Sequence, residues 1–400
     1  MALADITTAG TSRLPHRGRK FSGDGLSIDQ MADAVRHVGL EPHLVFRKDR
    51  DVLAANVYAY LNGGIPLVLT LKLVETGVKK AENKAITNEM GKHAVALAGY
   101  RISGNRREVR YCENGEERTI FLRGARLNGL FVHDDGIAPF APMPFYPKNS
   151  EAHGNLTLNH TNEDEVDGAP ENEGGGPPGA YLETNWTSTN LRDLDLEHAS
   201  VIAETRGLLI PLHRAIRIPF SYILEVVKDI DIRLNKLVKD IEFEQKASEK
   251  PFFQIITTSD PYEWDIELMD LRAFKTDILK NMKDIPGDFG RKVLQGTISP
   301  YLWRVRAFTK QNDAERLAFE ILLDATDLLQ GKWFAGFVPY YPEHSAHILD
   351  YAISLDKTFP SDHKDRCSQW FRVLAALAKW AEENVIMGQN DKEDDPADET

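Results

Sequence analysis

The chain has 400 residues, 42% of them hydrophobic and 27% charged, enough apolar material for two or more packed domains, which excludes a wholly disordered protein. A net charge of −13 excludes a surface built throughout to grip nucleic acid or an anionic membrane. Two cysteines, Cys112 and Cys367, exclude a disulfide framework and metal sites of the CxxC kind, and point to a reducing, cytoplasmic compartment.

Residues 1–23 read as a flexible leader. Its basic stretch "RLPHRGRK" lacks the interleaved aromatics of a nucleic-acid reader, and no nucleic-acid partner is expected. It has no apolar core of a secretory signal, and no window along the chain approaches the roughly 18 apolar residues of a membrane span, so no membrane partner is expected either. In that compartment the Asn-x-Thr triplets at Asn155, Asn159 and Asn185 carry no role.

Residues 24–148 read as an α+β module with helices first and a mostly antiparallel sheet after. In "LSIDQMADAVRHVGLEP", Ser27 and Gln30 form a capping box, Ile28, Met31, Val35 and Val38 make one face, and Gly39 with Pro42 ends the helix. A second helix, roughly Asp51 to Leu61, stops at Asn62-Gly63-Gly64 and leads into "IPLVLTLKLV", a continuous apolar run and hence a buried strand. A polar loop from Glu75 to Lys92 follows, then the strand "GKHAVALAGYRI" with His93 at its head. A hairpin turning at Asn114-Gly115 and a short strand in "GLFVHDDG" complete the module.

Residues 149–190 are rich in Gly, Pro, Asn and Glu and read as a disordered linker. Residues 191–388 form a second α+β region. There Phe220, Ile223, Val227, Ile230, Leu234, Leu237 and Ile241 alternate threes and fours, the pattern of a helix packed inside its own domain or against a partner helix. Next come a strand in "FFQIITT", a helix over "WDIELMDLRAFKTDILKNM", and a long hairpin from "YLWRVRAFT" to "RLAFEILLDAT". A last amphipathic helix (Phe371, Leu374, Ala378, Ala381, Val385) precedes the acidic tail 389–400.

Several constellations read as structural. His344 and His347 lack a third ligand, and Asp265, Glu267 and Asp270 read as a solvated helix face. No phosphate-binding glycine motif appears, and no cofactor or metal is expected. His93 and the "VHDD" strand end, by contrast, put an imidazole and a carboxylate on neighbouring elements. A carboxylate accepting from one ring nitrogen fixes the tautomer and leaves the other nitrogen as proton acceptor. Spacing alone leaves a structural histidine as the alternative.

Three phrases, "YLNGGIPLVLTLKL", "GKHAVALAGYRI" and "GLFVHDDGIAPF", resemble the C-terminal half of papain-like cysteine peptidases of the bacteriocin-processing (double-glycine) type. The likeness spans about residues 24 to 140. It implies a papain-like fold, with His93 as general base and Asp134 as orienting acid. Asp135 falls where that family usually has proline, so either aspartate stands as the one facing His93.

In that family the nucleophilic cysteine opens a helix N-terminal to the one beginning near Leu26, with an oxyanion-binding glutamine upstream. The residues before Leu26 contain neither. Cys112 lies on the expected hairpin, and Cys367 reads as a packing residue. The resemblance therefore leaves three readings: a degenerate centre, a nucleophile helix encoded upstream, or a nucleophile from another chain. The expected function is a cysteine-peptidase-like protein with a peptide or amide groove, N-terminally incomplete or degenerate. The alternative is a non-catalytic protein that holds a peptide or protein partner in that groove or on the 220–241 helix.

Overall fold

A computed structural model of the chain describes residues 26–46, 49–79, 84–113, 115–134, 136–145, 180–186, 196–248, 262–281, 291, 294–296, 298–311, 314–326 and 334–340. The leader, the "FFQIITT" strand, His344, His347, Cys367, the last helix and the acidic tail lie outside these residues. The fold is mixed α+β. The described residues fall into two compact units, with the chain passing between them at Asn105/Arg106, Arg123/Gly124 and Arg214/Ala215.

In the first unit, helix α1 (Ile28–His37) begins at the expected box, Ser27 Oγ accepting from Gln30 N–H and Gln30 Oε1 from Ser27 N–H. Its most buried positions are Gln30, Ala32 and Ala34 rather than the larger apolar face, and Val38 is exposed. Small side chains let α1 approach β1 (Glu41–Val45) closely. Helix α2 (Arg50–Asn62), capped by Asp49, is apolar on all sides and buried continuously from Leu53 to Tyr60. A Cβ on Gly124 would sit 2.8 Å from Ala55 Cα, so only glycine lets the chain pass α2 there.

Strands β2 (Leu67–Lys79) and β3 (Lys84–Ile102) run beyond the expected apolar runs and take in the stretch read as a polar loop. The reason is pairing on both edges of β2. It lies between β3 and β9 (Leu196–Leu212), so even Glu75 and Thr76 are buried. Beyond β3 come β6 (Leu127–Asp134) and β7 (Ala138–Pro144). Tyr181–Glu183, inside the span read as linker, is strand β8. It pairs with β9, and Leu182 bridges Phe145 at the end of β7, so the sheet closes on itself. Leu67, Leu69, Leu71, Val95, Leu97, Leu130 and Val132 fill the inner face against α2.

The hairpin of β4 (Glu108–Glu113) and β5 (Glu116–Leu122) turns where expected but does not join this sheet. It belongs to the second unit, where β5 pairs in parallel with β10 (Glu263–Asp270). The six-stranded order there is β13 (Phe334–Pro339), β12 (Ala314–Asp324), β11 (Tyr301–Gln311), β10, β5, β4. The expected β11–β12 hairpin forms, with a bulge at Ala307/Phe308.

The "WDIELMD" stretch is a strand, not the start of a helix. Its apolar residues alternate at Trp264, Ile266 and Leu268, and helix α4 (Leu271–Lys280) begins only after the Asp270 cap. Asp265 and Glu267 are thereby buried on a sheet face instead of solvated on a helix, and only Asp270 caps at the surface. The register sets them opposite Arg306 and Arg304. Arg304, 2% exposed, donates to Glu320, Glu267 and Asp277, and Arg306 to Asp265. Burial raises the pKa of Glu267 despite these partners.

Helix α4 covers that face through Phe274 and Ile278, packed with Leu302, Leu322 and Val338. The other face takes α3 (Phe220–Ser248), whose seam residues Phe220, Ile223, Val227, Ile230 and Leu234 are buried. Those five positions are spent on the chain's own sheet and offer nothing to a partner helix.

Asp231 of α3 is 2% exposed and accepts from Trp264 Nε1 at 2.8 Å and Asn235 Nδ2 at 2.9 Å. Burial pushes its carboxyl up to about 6, with those two hydrogen bonds opposing. A carboxyl raised in the fold stabilises fully below its unfolded value near 4, and that contribution is lost as pH rises through about 6. Asp231→Asn, which keeps an acceptor for Trp264, is expected to raise the unfolding free energy at pH 7.5 more than at pH 4.5. The difference should reach up to about 3 kcal/mol, measured by denaturant titration at both pH values.

Candidate functional site

The site sits where β3 outruns β6. Pairing between them covers Ile102 back to Ala96, opposite His133, and stops there. On β3, Val95 and Leu97 are buried by alternation, and His93 continues their inward face. On β6, Val132 and Asp134 point inward while His133 faces out. The last inward residue of one strand thus meets the next inward residue of the other. His93 Nε2 lies 3.1 Å from Asp134 Oδ2.

Asp134 is held on both oxygens. Its side chain is wholly buried, and Oδ1 accepts from Gly136 N–H at 2.7 Å, an Asx turn that fixes the carboxylate plane. A carboxylate only accepts, so in the neutral ring Nε2 carries the proton and Nδ1 holds the lone pair. Nδ1 makes no hydrogen bond among the described residues, and the His93 side chain keeps 24% of its surface. The arrangement is an oriented imidazole with one nitrogen free to take a proton.

Trp186 completes the site. Its ring meets the His93 ring edge-on, with centroids 4.4 Å apart, and its six-membered edge lies about 4.0 Å from where a Cβ on Gly136 would be. Its backbone is set by Thr184, whose Oγ1 donates to Val201 O and accepts from Trp186 N–H. An apolar plate beside a hydrogen bond keeps water from competing for it. Sequence reasoning missed Trp186 because it lies in the Gly/Pro-rich span. The available signal was the cluster Tyr181, Leu182 and Trp186 returning after a stretch almost free of apolar residues.

Asp135 lies outside the described residues, and Asp134 is the aspartate that faces His93. Cys112 is exposed on β4 in the other unit. Among the described residues no group of three or more His, Cys, Asp or Glu is arranged to hold a metal ion, and no helix is long and apolar enough to cross a membrane. No family model, curated protein or solved structure matches the chain.

Removing the plate should expose the pair without moving it. In Trp186→Ala, exchange of the His93 Nε2 proton with solvent is expected to speed up at least tenfold, read by histidine NMR, with the far-ultraviolet circular dichroism unchanged.

Proposed function

We propose that His93 and Asp134 are the general base and orienting acid of a papain-like cysteine-peptidase centre that cleaves or transfers amide or acyl groups. The observation that carries this reading is the Asp134 carboxylate held by Gly136 on one side and bound to His93 Nε2 on the other, which leaves Nδ1 as the only proton-accepting nitrogen. Nδ1 would take the proton of a thiol, and the thiolate would add to the carbonyl carbon. The imidazolium, its charge offset by Asp134, would return the proton to the leaving amine, and water activated by the same nitrogen would release the acyl group.

Cys112 is not assigned as that thiol. The nucleophile is taken to lie outside the described residues or on another molecule, and the two-cysteine composition suits a reducing compartment.

The test is hydrolysis of pooled fluorogenic peptide amides by the full chain, with and without 2-mercaptoethanol as a surrogate nucleophile. Hydrolysis that falls on the order of 100-fold in His93→Ala and in Asp134→Asn is expected. No hydrolysis under either condition, or a rate indifferent to His93→Ala, overturns the reading in favour of a non-catalytic binding protein.

A further inference from the structure

Four inward-facing rungs run along β2 and β3: Leu69 opposite Val95, Leu71 opposite His93, Leu73 opposite Gly91, and Glu75 opposite Asn88. The last rung breaks a general rule of protein interiors. Glu75 has no exposed surface, yet among the described residues Oε2 accepts only from Asn88 Nδ2, at 3.1 Å, and the equally buried Oε1 has no partner. Among the described residues no cation pairs with it. Lys72, on the opposite face of β2, is committed to Glu89 at 2.6 Å, and the Thr76 hydroxyl is used by Ser200. A buried carboxylate in this state is costly, and a cation brought to it would relieve that cost.

The rung between His93 and Glu75 is empty on the β3 side. Gly91 has φ +139°, a conformation side chains rarely adopt, and a Cβ built there would meet nothing within 4 Å. The face therefore leads from the imidazole, across open space over Gly91, to the unpaired carboxyl. Asn88 is exposed and covers its far oxygen. One carboxyl and one amide are too few oxygens for a metal cage, whereas an ammonium or guanidinium needs no more.

We infer that Glu75 is a specificity residue that takes the cationic side chain of a lysine or arginine in an extended peptide. The peptide lies along β3 with its reacting carbonyl at His93. Glu75 is four residues along β2 from the residue opposite His93, about 13 Å, so the basic residue stands about three or four residues from the reacting bond. Asn88 turns its amide as the cation enters, so that Oδ1 also accepts from it. This inference rests on the peptidase reading for its substrate class, but its test reads binding alone.

The probes are fluorescein-labelled Ala/Ser/Gly decapeptides carrying one lysine or arginine, against the same peptides with norleucine or citrulline, titrated with the full chain by fluorescence anisotropy. The cationic peptides are expected to bind the wild type at least tenfold more tightly, and the comparison needs no variant to fold. Glu75→Gln should remove the preference, and His93→Ala should keep it. Equal affinity for charged and neutral peptides, no binding of either, or a preference that survives Glu75→Gln in a folded variant overturns the inference. Hydrolysis without discrimination sinks the role of Glu75 alone. Discrimination without hydrolysis sinks the peptidase chemistry alone.

Discussion

Among the described residues, strand β3 has a neighbour on both edges only at Ala96 and Leu97; from Gly99 to Ile102 β6 alone pairs with it, and from Lys84 to Val95 β2 alone does. The register of the β3–β6 ladder follows from two inward apolar rows, Val95 and Leu97 on one strand, Leu130 and Val132 on the other. A slip of one residue would turn both rows to solvent, so the burial of four aliphatic side chains fixes the register. That same register brings the two polar residues ending each row, His93 and Asp134, within 3.1 Å. The pair is thus a consequence of core packing. Nothing weaker than the whole sheet decides where the imidazole stands.

Around that constraint the unit adds two local devices. The Asx turn at Gly136 holds the carboxylate with a backbone donor, which costs no side-chain entropy. Trp186 follows three residues after β8, a short strand that joins β9 to the end of β7, so the plate over the pair depends on closure of the sheet. Beyond the pair, the emptied rung at Gly91 and the uncompensated Glu75 lie on the same inward face. Base, gap and carboxyl are properties of one ladder.

Much of this was legible in the residues. The Ser27–Gln30 box, the apolar α2, the β11–β12 hairpin and the β6 end carrying Asp134 are local patterns, and local patterns report which face is buried; His93, expected at the head of a strand, stands in the middle of β3. Pairing across long separations is not local, and there the expectations departed from the structure. The β4–β5 hairpin has the right turn but belongs with β10, and β9 pairs with β2 across a separation of 124 residues between Thr76 and Ser200. Glu75 to Lys92 looked like a loop because its polarity is that of a surface. With strands on both sides of β2, Glu75 and Thr76 become buried, while Asn88, Glu89 and Lys92 on β3 stay exposed. Asp265 and Glu267 misled for the same reason, since two arginines forty residues away make their burial tolerable.

The central claim is that Asp134 selects one tautomer of His93 and leaves Nδ1 as the acceptor. Long-range proton–nitrogen NMR of the histidine-labelled full chain reads both ring nitrogens of His93 separately. The account predicts that the neutral ring carries its proton on Nε2 and not on Nδ1, with the selectivity lost in Asp134→Ala. A proton resident on Nδ1, or a tautomer indifferent to Asp134→Ala, contradicts it.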